Sequence, residues 1–278
     1  THIWIEDVLD TFYPCPVIKD FSFIKSELIN YKTCKGDSVI DCQPFECGRN
    51  GNKLYELSIE SGVNVIAVTG FHKRQYYPRI SKIWKMSKQG ASDFFIKEIQ
   101  TGLEETINSE KTIKASAIKI AFIGKLEDQY LILTEAALAA AAKTDRPIIV
   151  HTEKGHNIEL LIDFLKERKI DCSKVLLCHM DKRNDFNLHR LLAHNSFYLE
   201  YDTFLRQKYN PEENAWPLLI NMIKNGYYKS VMIGSDISGI DMWRSINKNF
   251  GLGSYFNNIK EKLFSMKIGS DIVDRLVG

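Results

Sequence analysis

The chain has 278 residues, 44% of them hydrophobic and 26% charged, a water-soluble globular composition. Its formal net charge of +2 is too small to imply a nucleic acid or an anionic membrane as partner. No apolar run approaches the roughly 18 residues needed to cross a bilayer.

In chain order, "DFSFIKSELINYK" (20–32) reads as a helix and "SVIDC" (38–42) and "NVIAVTG" (64–70) as strands. "ASDFFIKEIQTGLEET" (91–106) is helical, "AIKIAF" (117–122) a strand, and "DQYLILTEAALAAAAKT" (128–144), rich in Ala, Leu and Glu, a helix. The alternation continues with strand "PIIVHT" (147–152), helix "NIELLIDFLKERK" (157–169), then strands "KVLLCHM" (174–180) and "FYLEYDT" (197–203). Helix "AWPLLINMIKNGYY" (215–228), strand "SVMIGSD" (230–236) and helix "SYFNNIKEKLFSMK" (254–267) close it. The strands are nearly continuous apolar runs, as in parallel strands covered on both faces.

Seven strands with helices between them indicate an α/β (β/α)8 barrel as one domain over residues 1–278, its first strand largely missing from the chain. The eighth strand is expected just before Thr1, since "THIWIED" opens abruptly and without Met, as if inside a larger protein. A doubly wound fold competes, but no GxGxxG follows any strand. The cysteines Cys15, Cys34, Cys42, Cys47, Cys172 and Cys178 form no CxxC pair, which argues against a structural zinc site. They fit a reducing compartment, and with no signal-peptide pattern a cytoplasmic location is expected.

In such barrels the chemistry sits at the carboxyl ends of the strands. His151, His179 and Asp236 fall there, His2 lies at the chain start, and Lys119 interrupts the apolar run "AIKIAF". Alone, each has an ordinary explanation: a hydrogen-bonded core histidine, a helix-capping aspartate, a lysine snorkelling to the rim. Together they form a ligand set for Zn²⁺ or a similar divalent ion. Burial disfavours the charged form of Lys119 and would make its amine available.

The ordered series "IDCQPFECGRN", "VIAVTGFH", "IKASAIKIAF", "IIVHTEKG", "LLCHMDKRND" and "MIGSDIS" resembles the phosphotriesterase-like family of the amidohydrolase superfamily almost end to end. The resemblance implies a binuclear metal centre of two divalent ions, zinc first, with Mn²⁺ or Co²⁺ as alternatives. It places carboxylated Lys119 as the bridge between the ions, His151 and His179 on one ion, and Asp236 on the other as the proton-handling residue. The family's HxH pair is represented only by His2. Either Thr1-His2 starts the motif, with Trp4 in the second histidine's place, or the first histidine lies before residue 1.

The loops after the strands are basic. "FHKRQYYPR" carries Lys73, Arg74 and Arg79, "HTEKGH" Lys154, "HMDKRND" Lys182 and Arg183, and "YDTFLRQKYNP" Arg206, Lys208 and Tyr209. Such a cationic face suits an anion. Here the motifs resemble the branch that hydrolyses lactones of phosphorylated sugars, by attack of a metal-bridging hydroxide on the lactone carbonyl. Arg206, Lys208 and Arg183, then Lys73, Arg74 and Tyr209, are the expected substrate contacts. Asp181 and Asp202 are candidates for sugar hydroxyls or for orienting metal ligands. A phosphotriesterase or general esterase on the same centre, and a degenerate non-catalytic homologue, are the alternatives. The partner implied is a small molecule, and the family resemblance adds a homodimer.

Overall fold

A computed structural model describes residues 1–244, 246 and 251–277. Seven strands form one sheet in chain order: β1 (Ser38–Asp41), β2 (Asn64–Gly70), β3 (Ala117–Phe122), β4 (Ile148–Thr152), β5 (Val175–Leu177), β6 (Tyr198–Tyr201) and β7 (Val231–Ile233). Every neighbouring pair is parallel. Helices α1 (Phe21–Thr33), α3 (Lys88–Gln100), α4 (Asp128–Thr144), α5 (Ile158–Glu167), α7 (Ala215–Lys224) and α8 (Leu252–Ser265) occupy the expected places. Helices α2 (Gly51–Ser61), α6 (Phe186–His194) and α9 (Ser270–Val277) complete the set and lay outside the sequence expectation. No helix among the described residues is long and apolar enough to cross a membrane.

Continuous apolar strands are explained by burial on both faces: all six residues of β3 are buried. The core divides accordingly. A large cluster lies between sheet and helices. A small one of Val68, Ala117, Ile149 and Cys178, with Ile40 and Leu176 packed against it, fills the inside of the curled sheet. Lys119 and His151 lie two residues beyond Ala117 and Ile149, so strand alternation returns both to that inner face, nearer its carboxyl end.

The edges β1 and β7 are joined at that end by the start of the chain. Cys42 N–H donates to Thr1 O at 2.9 Å, and His2 N–H donates to Ile237 O at 2.8 Å. The buried Asp41 carboxylate accepts from Ile3 N at 2.6 Å and from Trp4 N at 3.4 Å, which fixes His2 on the rim.

Strands β5, β6 and β7 stop well short of what the sequence suggests, at Leu177, Tyr201 and Ile233. The backbone leaves the ladder before His179 and Asp236, which adopt left-handed φ of 64° and 41°. The expected helix over 91–106 starts earlier, at Lys88 behind the Ser87 cap, and ends at Gln100. Glycine at 70 is obligatory: with φ +102°, an added Cβ would lie 1.9 Å from Lys119 O.

The glycine-arginine turn after β1 is pinned by a buried ion network. Arg49 pairs with the fully buried Glu98 and with Glu105, and donates to Val68 O at 2.9 Å. Thr69 Oγ1 donates to Glu98 at 2.6 Å. Arg49→Leu strands the Glu98 carboxylate and is expected to cost about 3–5 kcal/mol. A urea-denaturation midpoint unchanged from wild type would contradict this role.

Candidate metal centre

Around the carboxyl rim, β3 to β7 each deliver one chemically active side chain. Lys119 lies on β3 and His151 on β4, while His179 follows β5, Asp202 follows β6 and Asp236 follows β7. His2 fills the gap between β7 and β1.

The two imidazoles converge, with His151 Nδ1 3.0 Å from His179 Nε2. On the far side of His179, Nδ1 is hydrogen-bonded to the fully buried Asp202 carboxylate, which fixes the tautomer with a lone pair on Nε2. Glu153 is the carboxylate beside His151, 3.5 Å from an Nε2 that makes no hydrogen bond. Two ring nitrogens held 3.0 Å apart, one of them backed through its opposite nitrogen by Asp202, suit a shared cation. Ligand atoms of His179, Asp202 and Asp236 lie within 4.8 Å of one another, and His2 Nδ1 is buried with no partner. The donor set fits a divalent ion.

Burial would raise the Asp236 carboxyl, but His179, Arg206 and Lys182 outweigh it and hold the group well below the ordinary carboxylate range. Burial likewise opposes the charged form of His179, yet Asp202 and Asp236 raise its pKa. His151 is lowered to about 3 by burial, against the pull of Glu153. Asp181 is pushed up to about 7 by burial and by Asp202.

Lys119 departs from the sequence expectation. It is only 3% exposed, and burial favours the neutral amine. Cys42, Cys178, Glu200 and Asp236 outweigh that effect and raise its pKa. Burial therefore does not free the amine by itself, because acidic groups face it inside the barrel.

The basic residues separate into two groups. Arg206 Nη1 lies 3.2 Å from Asp236, and its Nη2 donates to the Asp236 carbonyl. Lys182 Nζ lies 3.5 Å from Asp202 and 3.8 Å from Asp236, and 5.0 Å from the centre of the Tyr209 ring. Lys208 stands 5.1 Å from the same ring. Lys73 joins from the other side through Glu153 at 3.1 Å.

Arg183 and Arg74 are engaged elsewhere. Arg183 is paired with Glu159 and Asp185 and donates to Gly155 O. Arg74 donates to the carbonyls of Pro78 and Arg79, its guanidinium 4.7 Å from the Phe12 ring centre. Lys182 replaces Arg183 because the loop after His179 is a 3₁₀ turn over Met180–Lys182. Residues three apart eclipse in such a turn, so position 182 follows position 179 inward. Asp181 faces the next loop, accepting from Asp202 N at 3.0 Å and Thr203 N at 2.8 Å.

Sequence reasoning gave no role to His72 or Glu200. His72 is buried two residues beyond β2, its ring centre 4.9 Å from that of His151 and 6.2 Å from that of His2. The "GFH" at a strand end was its only signal.

The family model described as Phosphotriesterase family matches residues 5–276. The chain is 26% identical over 225 residues to the phosphotriesterase homology protein of Escherichia coli (strain K12), covering 80% of this chain and 74% of that one. It is 24% identical over 278 residues to an N-acetyltaurine hydrolase of Danio rerio, covering 93% and 76%. The crystal structure of the Escherichia coli protein, complexed with phosphate in its active site, superposes with a TM-score of 0.87 at 22% identity, covering 99% and 93% of the chains. A lactonase from Listeria monocytogenes also gives 0.87, at 18% identity, covering 99% and 90%. At these identities the structural likeness establishes the shared barrel fold.

Asp202→Asn keeps the shape of the side chain but weakens its hold on His179 Nδ1–H. Zinc affinity, read by competition with a chromophoric chelator, should fall about 10- to 100-fold. Unchanged affinity would separate Asp202 from the ligand set.

Proposed function

The chain belongs to the phosphotriesterase family, and from that membership we propose a metal-dependent hydrolase that opens lactones of phosphorylated sugars. The observation that carries the substrate is the cationic group of Lys182 and Arg206 against Asp202 and Asp236, with Tyr209 beneath Lys182. A phosphorylated ligand has a ready counter-charge there, next to the converging imidazoles. The lactonase among the structural neighbours supports the same reading.

In this reading His2, His151, His179, Asp236 and carboxylated Lys119 hold two divalent ions, zinc first and Mn²⁺ or Co²⁺ as alternatives. Such ions supply a nucleophile at neutral pH and polarise the carbonyl under attack. Asp236 is the proton carrier: it stays ionised at neutral pH because three cationic or protonatable groups face it. Arg206 grips both the carboxylate and the carbonyl of Asp236, which fixes the direction in which the proton leaves. Asp202 keeps His179 in one tautomer, and Glu153 stands 3.5 Å from His151 Nε2. Lys182, Lys208 and Tyr209 take the phosphate. Arg183 and Arg74, held by other partners, drop behind Lys182 in the order of substrate contacts.

A second reading shares the anion subsite. The N-acetyltaurine hydrolases among the relatives favour an amide whose tail is a sulfonate; the same cations would hold it.

Zinc-loaded protein is expected to turn over a phosphorylated furanose lactone, to lose that activity with EDTA and to regain it with added zinc. Lys182→Met should raise KM for the phosphorylated lactone at least about tenfold and leave that of its unphosphorylated counterpart unchanged. A metal-replete preparation inert toward a panel of phosphorylated lactones would refute the substrate assignment. Turnover of N-acetyltaurine instead would select the second reading, and turnover of uncharged phosphotriesters insensitive to Lys182→Met would select a phosphotriesterase.

A further inference from the structure

The rim is electrostatically lopsided. Lys182 follows β5 and Arg206 and Lys208 follow β6, while Lys73, after β2, is tied to Glu153 at 3.1 Å. On the β1–β2 side a cavity of about 70 Å³ opens between the chain start and the loop after β2. It is lined by His2, Ile5, Cys15, Pro16, Gln43, Cys47, His72, Tyr76 and Ser238, none of which carries a fixed charge.

His72 is held rigidly in that wall. Its backbone N–H donates to the hydroxyl of the fully buried Tyr77 at 2.9 Å. The Tyr76 ring lies 5.1 Å away on one side and the His151 ring 4.9 Å away on another. The side chain is 6% exposed, and its Nδ1 is buried with no hydrogen-bond partner. Buried polar atoms are normally satisfied, so an imidazole clamped in place with an unmet nitrogen, in the wall of a cavity beside the centre, is pre-organised for a ligand. A neutral imidazole can donate from one nitrogen and accept at the other. Lys73, 5.3 Å from the Tyr76 ring centre, is already paired with Glu153, so an ion would have to shed its water here with no free counter-charge, and the occupant is uncharged.

Building on the hydrolase reading, we propose that this cavity is the subsite for the uncharged portion of the substrate, a short carbon chain bearing a hydroxyl or carbonyl oxygen, with His72 as its hydrogen-bonding residue. The substrate then lies across the rim, its anionic end on Lys182 and its neutral end on His72, with the scissile bond between them over Lys119 and Asp236. His72 determines specificity and does not hold metal.

The test uses zinc-loaded protein and acetamide, a small neutral amide, as the probe. Crystals soaked in acetamide are expected to hold it against His72, and crystals of His72→Phe, which keeps a ring but has no nitrogen, are expected to hold none. With whichever lactone or amide is turned over, His72→Phe should raise KM roughly tenfold at nearly constant kcat, and His72→Asn should recover part of the loss. Zinc content should equal wild type in both variants. Acetamide bound only elsewhere, an unchanged KM in both variants, or loss of zinc would overturn the assignment. If no lactone, amide or ester is hydrolysed, the hydrolase reading fails, and the acetamide result still decides the subsite.

Discussion

The hydrogen bond between His179 Nδ1 and the buried Asp202 carboxylate is the contact on which the rest of the rim depends. It selects the tautomer of His179 and aims its other nitrogen at His151. Asp202 is held in turn through its backbone, because Asp181 accepts from the N–H groups of Asp202 and Thr203 and from the Thr203 hydroxyl at 2.6 Å. Two carboxyl groups this close and this dry do not ionise equally. Asp202, paired with His179, is held low, while Asp181 rises to about 7. One residue thus orients the imidazole and the other holds the loop that carries it.

The same accounting explains why charge is tolerated inside the barrel. Lys119, Glu200 and Asp236 share an interior lined by Val68, Ala117 and Ile149, and each answers the others electrostatically. Isolated, any of them would be costly to bury. As a group they form a polar plug at the carboxyl end of an otherwise apolar tube. Gly70 allows the β2 backbone to approach Lys119 closely, and Gly234 leaves room for the Glu200 carboxylate. Lys182 and Arg206 then bias one side of the rim, whereas the cavity between the chain start and the loop after β2 has no charged side chain in its lining.

Much of this was legible beforehand. Lys119, His151, His179 and Asp236 stood out because each breaks or ends an apolar strand run, and strand ends of a parallel barrel converge on one face. The helix over 128–144 was readable to its ends, since a long stretch of strong helix formers overrides local ambiguity. The ranking within the basic loops was not readable. Lys182 and Arg183 are adjacent in sequence, and only the phase of a single 3₁₀ turn sends one inward and the other to Glu159. Arg74 looked like a ligand-binding cation until its neighbours supplied carbonyl partners. Helices α2, α6 and α9 are short amphipathic segments whose apolar residues become a face only when packed.

By itself the sequence determined the alternation of strands and helices, the parallel sheet, and a candidate set of metal-binding side chains. These depend on local periodicity and residue chemistry, which the chain carries at every position. Only the tertiary structure decided which groups meet. It brought His72 beside His2 and His151, set Asp202 behind His179, and placed acidic groups around Lys119 that oppose the effect of its burial. These pairings join residues tens of positions apart, and their energies depend on distance and desolvation, quantities that exist only once the sheet has curled.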